Sequence, residues 1–313
     1  MISLELQSFD THQAFAPRIV PLSSTVDTSR PAVFLIPGFL TERDAAYGPE
    51  CARDCMDADW ARQLAPAISG PGQRNVFLVN WPSAPVLAGL RRLAKALLFP
   101  WSSLLGFGLM TMPVLLPFGA VSIAQAIWRQ AVRNADMVPA QLSCHLARFV
   151  AGSVIIGHSL GGRIALRMAE TYTQSDEGYP SPEVIALAPA VSQQEIKWAC
   201  LDDYPLGNVE LFYSTEDKVL RYLFRLGQAS MEQAIGHVGM PHRPHRAVRC
   251  IDATDRPYRK ARGHSDYEPD LMRLLDESDI WLSYFSLPQP SGPYAEIDRA
   301  VSALRLRSTA APG

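Results

Sequence analysis

A chain of 313 residues is long enough for one large α/β domain or two modest ones. Hydrophobic residues make up 48% and charged residues 19%, and the formal net charge is −2, so the composition is globular and lacks the basic field that nucleic-acid partners need. Five scattered cysteines (Cys51, Cys55, Cys144, Cys200 and Cys250) and an N-terminus, "MISLELQSFDTHQ", without a basic region and apolar core argue against a secreted disulfide scaffold and a signal peptide. Free thiols and a reducing, cytoplasmic compartment are the expectation. "CARDC" has no second Cys/His pair of matching spacing, so no metal is expected.

In chain order, "ISLELQSF" (2–9) and "APRIVPL" (16–22) read as antiparallel edge strands. "AVFLIP" (32–37) follows as a short strand apolar on both faces, then the helical pattern "DADWARQLAPAI" (57–68) and a second such strand, "NVFLVNW" (75–81). After a long apolar stretch come "AQLSCHLARFVA" (140–151, helix), "SVIIG" (153–157, strand) and "GRIALRMAETY" (162–172, helix). Three more buried strands are expected in "EVIALAP" (183–189), "NVELFYS" (208–214) and "AVRCID" (247–252), with a closing helix over "DLMRLLDESDIWLSYF" (270–285). Strands alternating with helices imply right-handed βαβ units and a mainly parallel, doubly wound α/β sheet. The expected division is a core of 1–82 and 136–285, an apolar helical insertion at 83–135, and a loose tail at 286–313.

The insertion breaks the pattern. Ala96 to Trp128, "ALLFPWSSLLGFGLMTMPVLLPFGAVSIAQAIW", carries no charge, and "GLRRLAKALLF" (89–99) before it is basic on one side and apolar on the other. Pro100, Pro113 and Pro117 argue against one straight spanning helix, although membrane helices tolerate proline. A lid or membrane-docking element is the functional reading, because large apolar patches usually mean contact. A buried helical hairpin is the plainer alternative.

"GHSLGG" (157–162) joins the strand "SVIIG" to the helix after it and fits Gly-x-Ser-x-Gly. A strained serine at a strand–helix join, with small neighbours at Gly157 and Gly161, has the requirements of a nucleophile elbow. Ser159 is therefore the candidate nucleophile. The Leu160 N–H, at the helix start, is one candidate oxyanion donor. The second is expected from the sharp turn after the first buried strand, "IPGFL", through the Phe39 amide or less readily that of Leu40. Leu40 and His158 are expected to border the substrate.

A serine hydroxyl needs a base, and the base needs an orienting acid. On such a sheet both follow the serine, acid first. Asp217 lies just past the strand "NVELFYS", where catalytic groups collect in open α/β sheets. Glu216 and Asp203 are alternatives, and helix capping is the ordinary role for Asp217. Among the histidines, His145 reads as structural, and His158 cannot serve its own neighbour. His237, His242 and His245 fall in a Pro-rich stretch before the last strand. His264, in "RKARGHSDY" after that strand, is the candidate base.

Taken together, these residues resemble the α/β-hydrolase superfamily, over roughly residues 31 to 285. "GHSLGG" is similar to the lipase and esterase elbow. "IPGFLTERD", "FLVNW", "WRQAVRNADMVPAQLSCHLA", "GHSLGGRIA", "NVELFYSTEDKVL" and "GHSDY" resemble the branch that includes the transmembrane-and-coiled-coil-domain hydrolase-like proteins. The resemblance implies a Ser159–Asp217–His264 triad and a hydrophobic insertion before the elbow. Pro82 stands where that branch usually has an acidic residue, and Gly162 where Ala is common.

The function expected is a serine hydrolase of carboxylic esters, lipase- or phospholipase-like and associated with a membrane surface. A soluble esterase, thioesterase or amidase, and a non-catalytic binding module of the same fold, are the alternatives. No Gly-x-Gly-x-x-Gly and no P-loop lysine is present, so no cofactor is expected. No oligomeric state follows from the sequence.

Overall fold

The structure, a computed structural model, describes residues 17–22, 26–28, 30–39, 75–83, 118–146, 149, 152–173, 181–197, 200–201, 208–228, 231–240, 247–254, 264–267 and 271–281. The expected strand at 2–9, the helix at 57–68, residues 84–117 of the apolar stretch, the tail, and Leu40, Asp203, His242 and His245 lie outside them.

Among the described residues seven strands form one sheet in the order β1-β3-β2-β4-β5-β6-β7. They are β1 (Arg18–Pro21), β2 (Ala32–Ile36), β3 (Asn75–Asn80), β4 (Val154–His158), β5 (Glu183–Leu187), β6 (Val209–Tyr213) and β7 (Val248–Asp252). Among the described residues only β1 runs antiparallel, against β3; every other pairing is parallel. All but β4 lie within the stretches read as strands, and β4 runs one residue further, to His158; runs such as AVFLI are apolar on both faces, and every residue of β2 and β4 is buried.

Two long helices accompany the described sheet. Helix α2 (Leu160–Thr173) packs on β4 and β5 and is buried almost all round. Helix α1 (Phe118–Leu146) lies against α2. Its inner stripe, Trp128, Ala131, Ala135, Val138, Leu142 and Leu146, recurs at the three- and four-residue spacing of one helical face. The segment 140–151 is thus no separate helix: its first residues finish α1, which ends at Leu146. The division drawn between 135 and 136 falls inside α1, because this stripe continues across it without a break. The closing helix expected over 270–285 is interrupted within its described residues. Leu271–Leu275 is one turn and a half, a break follows at 276–278, and residues 279–281 form a further turn. Ser278 causes the restart, its Oγ accepting from the Trp281 amide at 2.9 Å.

The registers align the carboxyl ends of the strands. Ile36 pairs with Gly157, His158 with Leu187, Leu187 with Phe212, and Phe212 with Ile251. The chain therefore leaves β2, β4, β5, β6 and β7 at one level, along one edge, where open α/β sheets carry their sites. With the lone antiparallel edge strand and a serine at the β4–α2 join, this is the α/β-hydrolase fold. Among the described residues no helix is long and apolar enough to cross a membrane.

Candidate active site

At the end of β4 the backbone turns through Ser159 at φ 57°, in the left-handed region that costs a side-chain-bearing residue about 1–2 kcal/mol. The surroundings hold it there. The Ser159 amide donates to the Leu187 carbonyl at 2.9 Å, and its own carbonyl accepts from Ala190 at 3.0 Å and Arg163 at 3.1 Å. Glycine is required on both sides of the turn. A Cβ on Gly157 would run into the Gly161 carbonyl, and one on Gly161 into the Ile36 carbonyl. Strand, turn and helix meet backbone to backbone, which no larger residue permits.

The turn after β2 lies over this elbow. A Cβ on Gly38 would come within 2.9 Å of the Ser159 Cβ. Trp81, buried at the end of β3, holds the turn by donating from Nε1 to the Pro37 carbonyl at 2.9 Å. Phe39 follows, its ring edge-on to Trp128 of α1 at 5.6 Å. Leu160 is the first residue of α2, so its N–H lies among those without an intrahelical acceptor, at the positive end of the helix dipole. Pro82, the departure noted after Trp81, offers its carbonyl to Asn134 Nδ2 of α1 at 2.7 Å.

Asp217 is buried just beyond β6, in a turn built on Ser214. The Ser214 carbonyl accepts from the Asp217 amide at 3.1 Å and faces His237 Nδ1 at 3.2 Å, so His237 supports this turn. The two oxygens of Asp217 have different partners. Oδ1 accepts from the Leu220 amide at 2.9 Å, and Oδ2 lies 2.7 Å from His264 Nδ1. A carboxylate can only accept, so the proton between them belongs to Nδ1, and Nε2 is the ring nitrogen left to take a proton. Neighbouring Glu216 is exposed.

His264 opens a short 3-10 turn, His264–Tyr267, after β7. Its carbonyl lies 2.9 Å from His158 Nε2, and the two imidazole rings are 4.7 Å apart. His158, expected to border substrate, is only 4% exposed and stacks on Tyr267 at 5.8 Å on its other contact. Its ring is thus packed beneath the His264 turn.

An ionic cluster behind the elbow went unnoticed in the sequence. The Arg163 guanidinium, 2% exposed, meets Asp136 of α1 at 2.8 and 3.0 Å and Glu195 at 2.8 Å. Burial alone would lower its pKa, but hydrogen bonds and charge from Asp136 and Glu195 outweigh it and the net direction is up. Glu195 also accepts from the Ser192 amide at 2.9 Å. Residues from α1, the first turn of α2 and the loop after β5 are thereby tied together next to Ser159. The i to i+4 bond from Arg163 to Ser159 was implicit in the helix; its distant carboxylates carry no local signal.

Among the described residues, no group of three or more His, Cys, Asp or Glu is arranged to hold a metal ion. Cys250, on β7, is a free thiol.

No family model matches the chain, and no curated protein matches it. Solved structures do. An esterase, PE8, is 13% identical, with 84% of this chain and 99% of that one covered and a TM-score of 0.37. LpqC, a poly(3-hydroxybutyrate) depolymerase from Bordetella parapertussis, is also 13% identical, covering 91% and 87% at a TM-score of 0.37. A Paleococcus ferrophilus monoacylglycerol lipase is 12% identical, covering 86% and 99% at 0.32. The fold rests on the strand order and the elbow of this chain itself.

Proposed function

We infer that this chain is a serine hydrolase that cleaves carboxylic esters through an acyl-enzyme, with lipid as its substrate class. The observation that carries the reading is the 2.7 Å contact between Asp217 Oδ2 and His264 Nδ1, on the sheet edge where the strained Ser159 sits. Ser159 Oγ attacks the acyl carbonyl while His264 Nε2 takes its proton. Asp217 orients the ring and stabilises the imidazolium. The Leu160 and Phe39 amides bind the oxyanion, each donor of this kind contributing roughly 100- to 1000-fold in rate. His264 then gives its proton to the departing alcohol. A water, deprotonated by His264, attacks the acyl-enzyme and releases the acid and free Ser159.

The lipid assignment is supported by the uncharged run Ala96–Trp128, which precedes the elbow in the sequence. It is supported too by the edge-on packing of Trp128, the last residue of that run, against Phe39. In this reading Leu40 borders the acyl chain, and the run docks at a membrane surface. The motifs resembling the transmembrane-and-coiled-coil-domain branch point the same way.

Turnover of an ester series of increasing acyl length, in solution and in micelles or vesicles, tests it. A long-chain preference with a rise at the lipid interface is expected. Equal or faster turnover of short soluble esters would remove lipid as the substrate class and leave a soluble esterase or thioesterase.

A further inference from the structure

We propose that His158 is a positioning residue that clamps the main chain of His264 to the nucleophile elbow. This rests on the serine-hydrolase reading above, and it gives His158 a task other than contact with substrate.

A general base must be held within hydrogen-bond reach of the proton it removes. Asp217 fixes the His264 ring at one point, Nδ1. A ring held there alone can still swing if its backbone moves, and His264 opens a turn of only four residues. His158 supplies the second point. A carbonyl oxygen can only accept, so the 2.9 Å contact between His158 Nε2 and the His264 carbonyl requires the proton on His158 Nε2. The same ring packs against both ends of the turn, 4.7 Å from the His264 ring and 5.8 Å from that of Tyr267, itself 3% exposed.

His158 is in turn closely packed. Its backbone is the last position of β4, paired with Leu187. On the side of the β2 turn there is no slack, since a Cβ on Gly38 would come within 3.3 Å of His158 Nδ1 and 3.2 Å of its carbonyl. The residue that holds the base's main chain is therefore joined by a single peptide bond to Ser159. One rigid turn sets the nucleophile and, through His158, its base. A histidine that merely filled space would need neither the donor nor the adjacency.

The test uses the full chain, with fluorophosphonate labelling of Ser159, ester turnover, and hydrogen–deuterium exchange over 264–267. His158→Phe keeps a ring and removes the donor. It is expected to slow labelling and kcat roughly 10- to 100-fold with KM little changed, the cost typical of a base displaced by about 1 Å. Exchange at 264–267 should rise. His158→Gln, which can donate from its amide, should recover most of the rate. Native rates and native exchange in His158→Phe would overturn the proposal, as would equal damage in Phe and Gln variants. If His158→Phe does not fold, His158→Gln decides: near-native rate supports the clamp, and a loss as deep as that of Ser159→Ala overturns it. Exchange reports on the clamp whether or not the protein labels, so absence of labelling in native protein would count against the hydrolase reading alone.

Discussion

The Asp217 carboxylate divides its two oxygens between two tasks: Oδ2 sits 2.7 Å from His264 Nδ1, while Oδ1 caps the following helical turn at the Leu220 amide, 2.9 Å away. The tasks separate by substitution. Asp217→Asn keeps an oxygen for the cap but turns an amide toward Nδ1, favouring the wrong imidazole tautomer. Activity should fall roughly 10³- to 10⁴-fold with little change in stability. Asp217→Ala should lose comparable activity and about 1 kcal/mol of stability as well. Steady-state kinetics beside denaturant unfolding of both variants checks this; equal stability of the two would deny the capping role.

Ser159 stores backbone strain at φ 57°. Ser159→Gly and Ser159→Ala should both be inactive, yet Gly relieves the left-handed conformation and Ala does not. The Gly variant is expected to be more stable than the Ala variant by about 1 kcal/mol, read as a higher unfolding midpoint. The reverse order would mean that the turn is not strained.

Arg163 is buried and held by two carboxylates that are partly exposed, Asp136 at 38% and Glu195 at 24%. Asp136→Ala removes a two-point contact and leaves the cation with one partner. Glu195→Ala leaves the two-point contact in place. The first should cost about 2 kcal/mol, below the usual figure for a fully buried pair because Asp136 is already part-hydrated, and the second less. Chemical unfolding of each variant gives the order, and the larger loss in Glu195→Ala would contradict it.

Glu210 is fully buried on β6, and burial pushes its pKa up despite Ser278, Arg249 and the Asp279 amide. The folded state thus holds the proton more tightly than the unfolded chain. Between the ordinary carboxyl value of 4.5 and the raised folded value, the folded state carries more protons. The stabilising contribution of this group is full below the ordinary value and is lost as pH rises through the folded one. Unfolding free energy measured across that window should show this slope in the native protein and lose it in Glu210→Gln. An identical slope in both would assign it to other groups.

Much of this architecture is legible in the sequence because parallel strands buried on both faces leave unbroken apolar runs. Those of β2, β4, β5 and β6 are bounded by turn residues within a position or two of the observed ends. Helix α1 was harder. Its first third belongs to the uncharged run, so the pattern gave no start signal, and only the inner stripe from Trp128 to Leu146 reveals one continuous helix. At the site, Ser159 and Asp217 follow from their places after strands. The bond from His158 to the His264 carbonyl was not readable, since it spans 106 positions and ends on a backbone oxygen that every residue possesses. Arg163 carries no such signal either, because its partners lie 27 and 32 positions away.

The most direct measurement is mass-spectrometric mapping of the adduct formed when the folded chain meets a fluorophosphonate. The adduct is expected on Ser159 alone, absent in Ser159→Ala, strongly slowed in His264→Ala and Asp217→Asn, and undiminished when Cys200 and Cys250 are replaced. No adduct on folded protein, or one on a residue other than Ser159, would contradict an activated serine at this elbow.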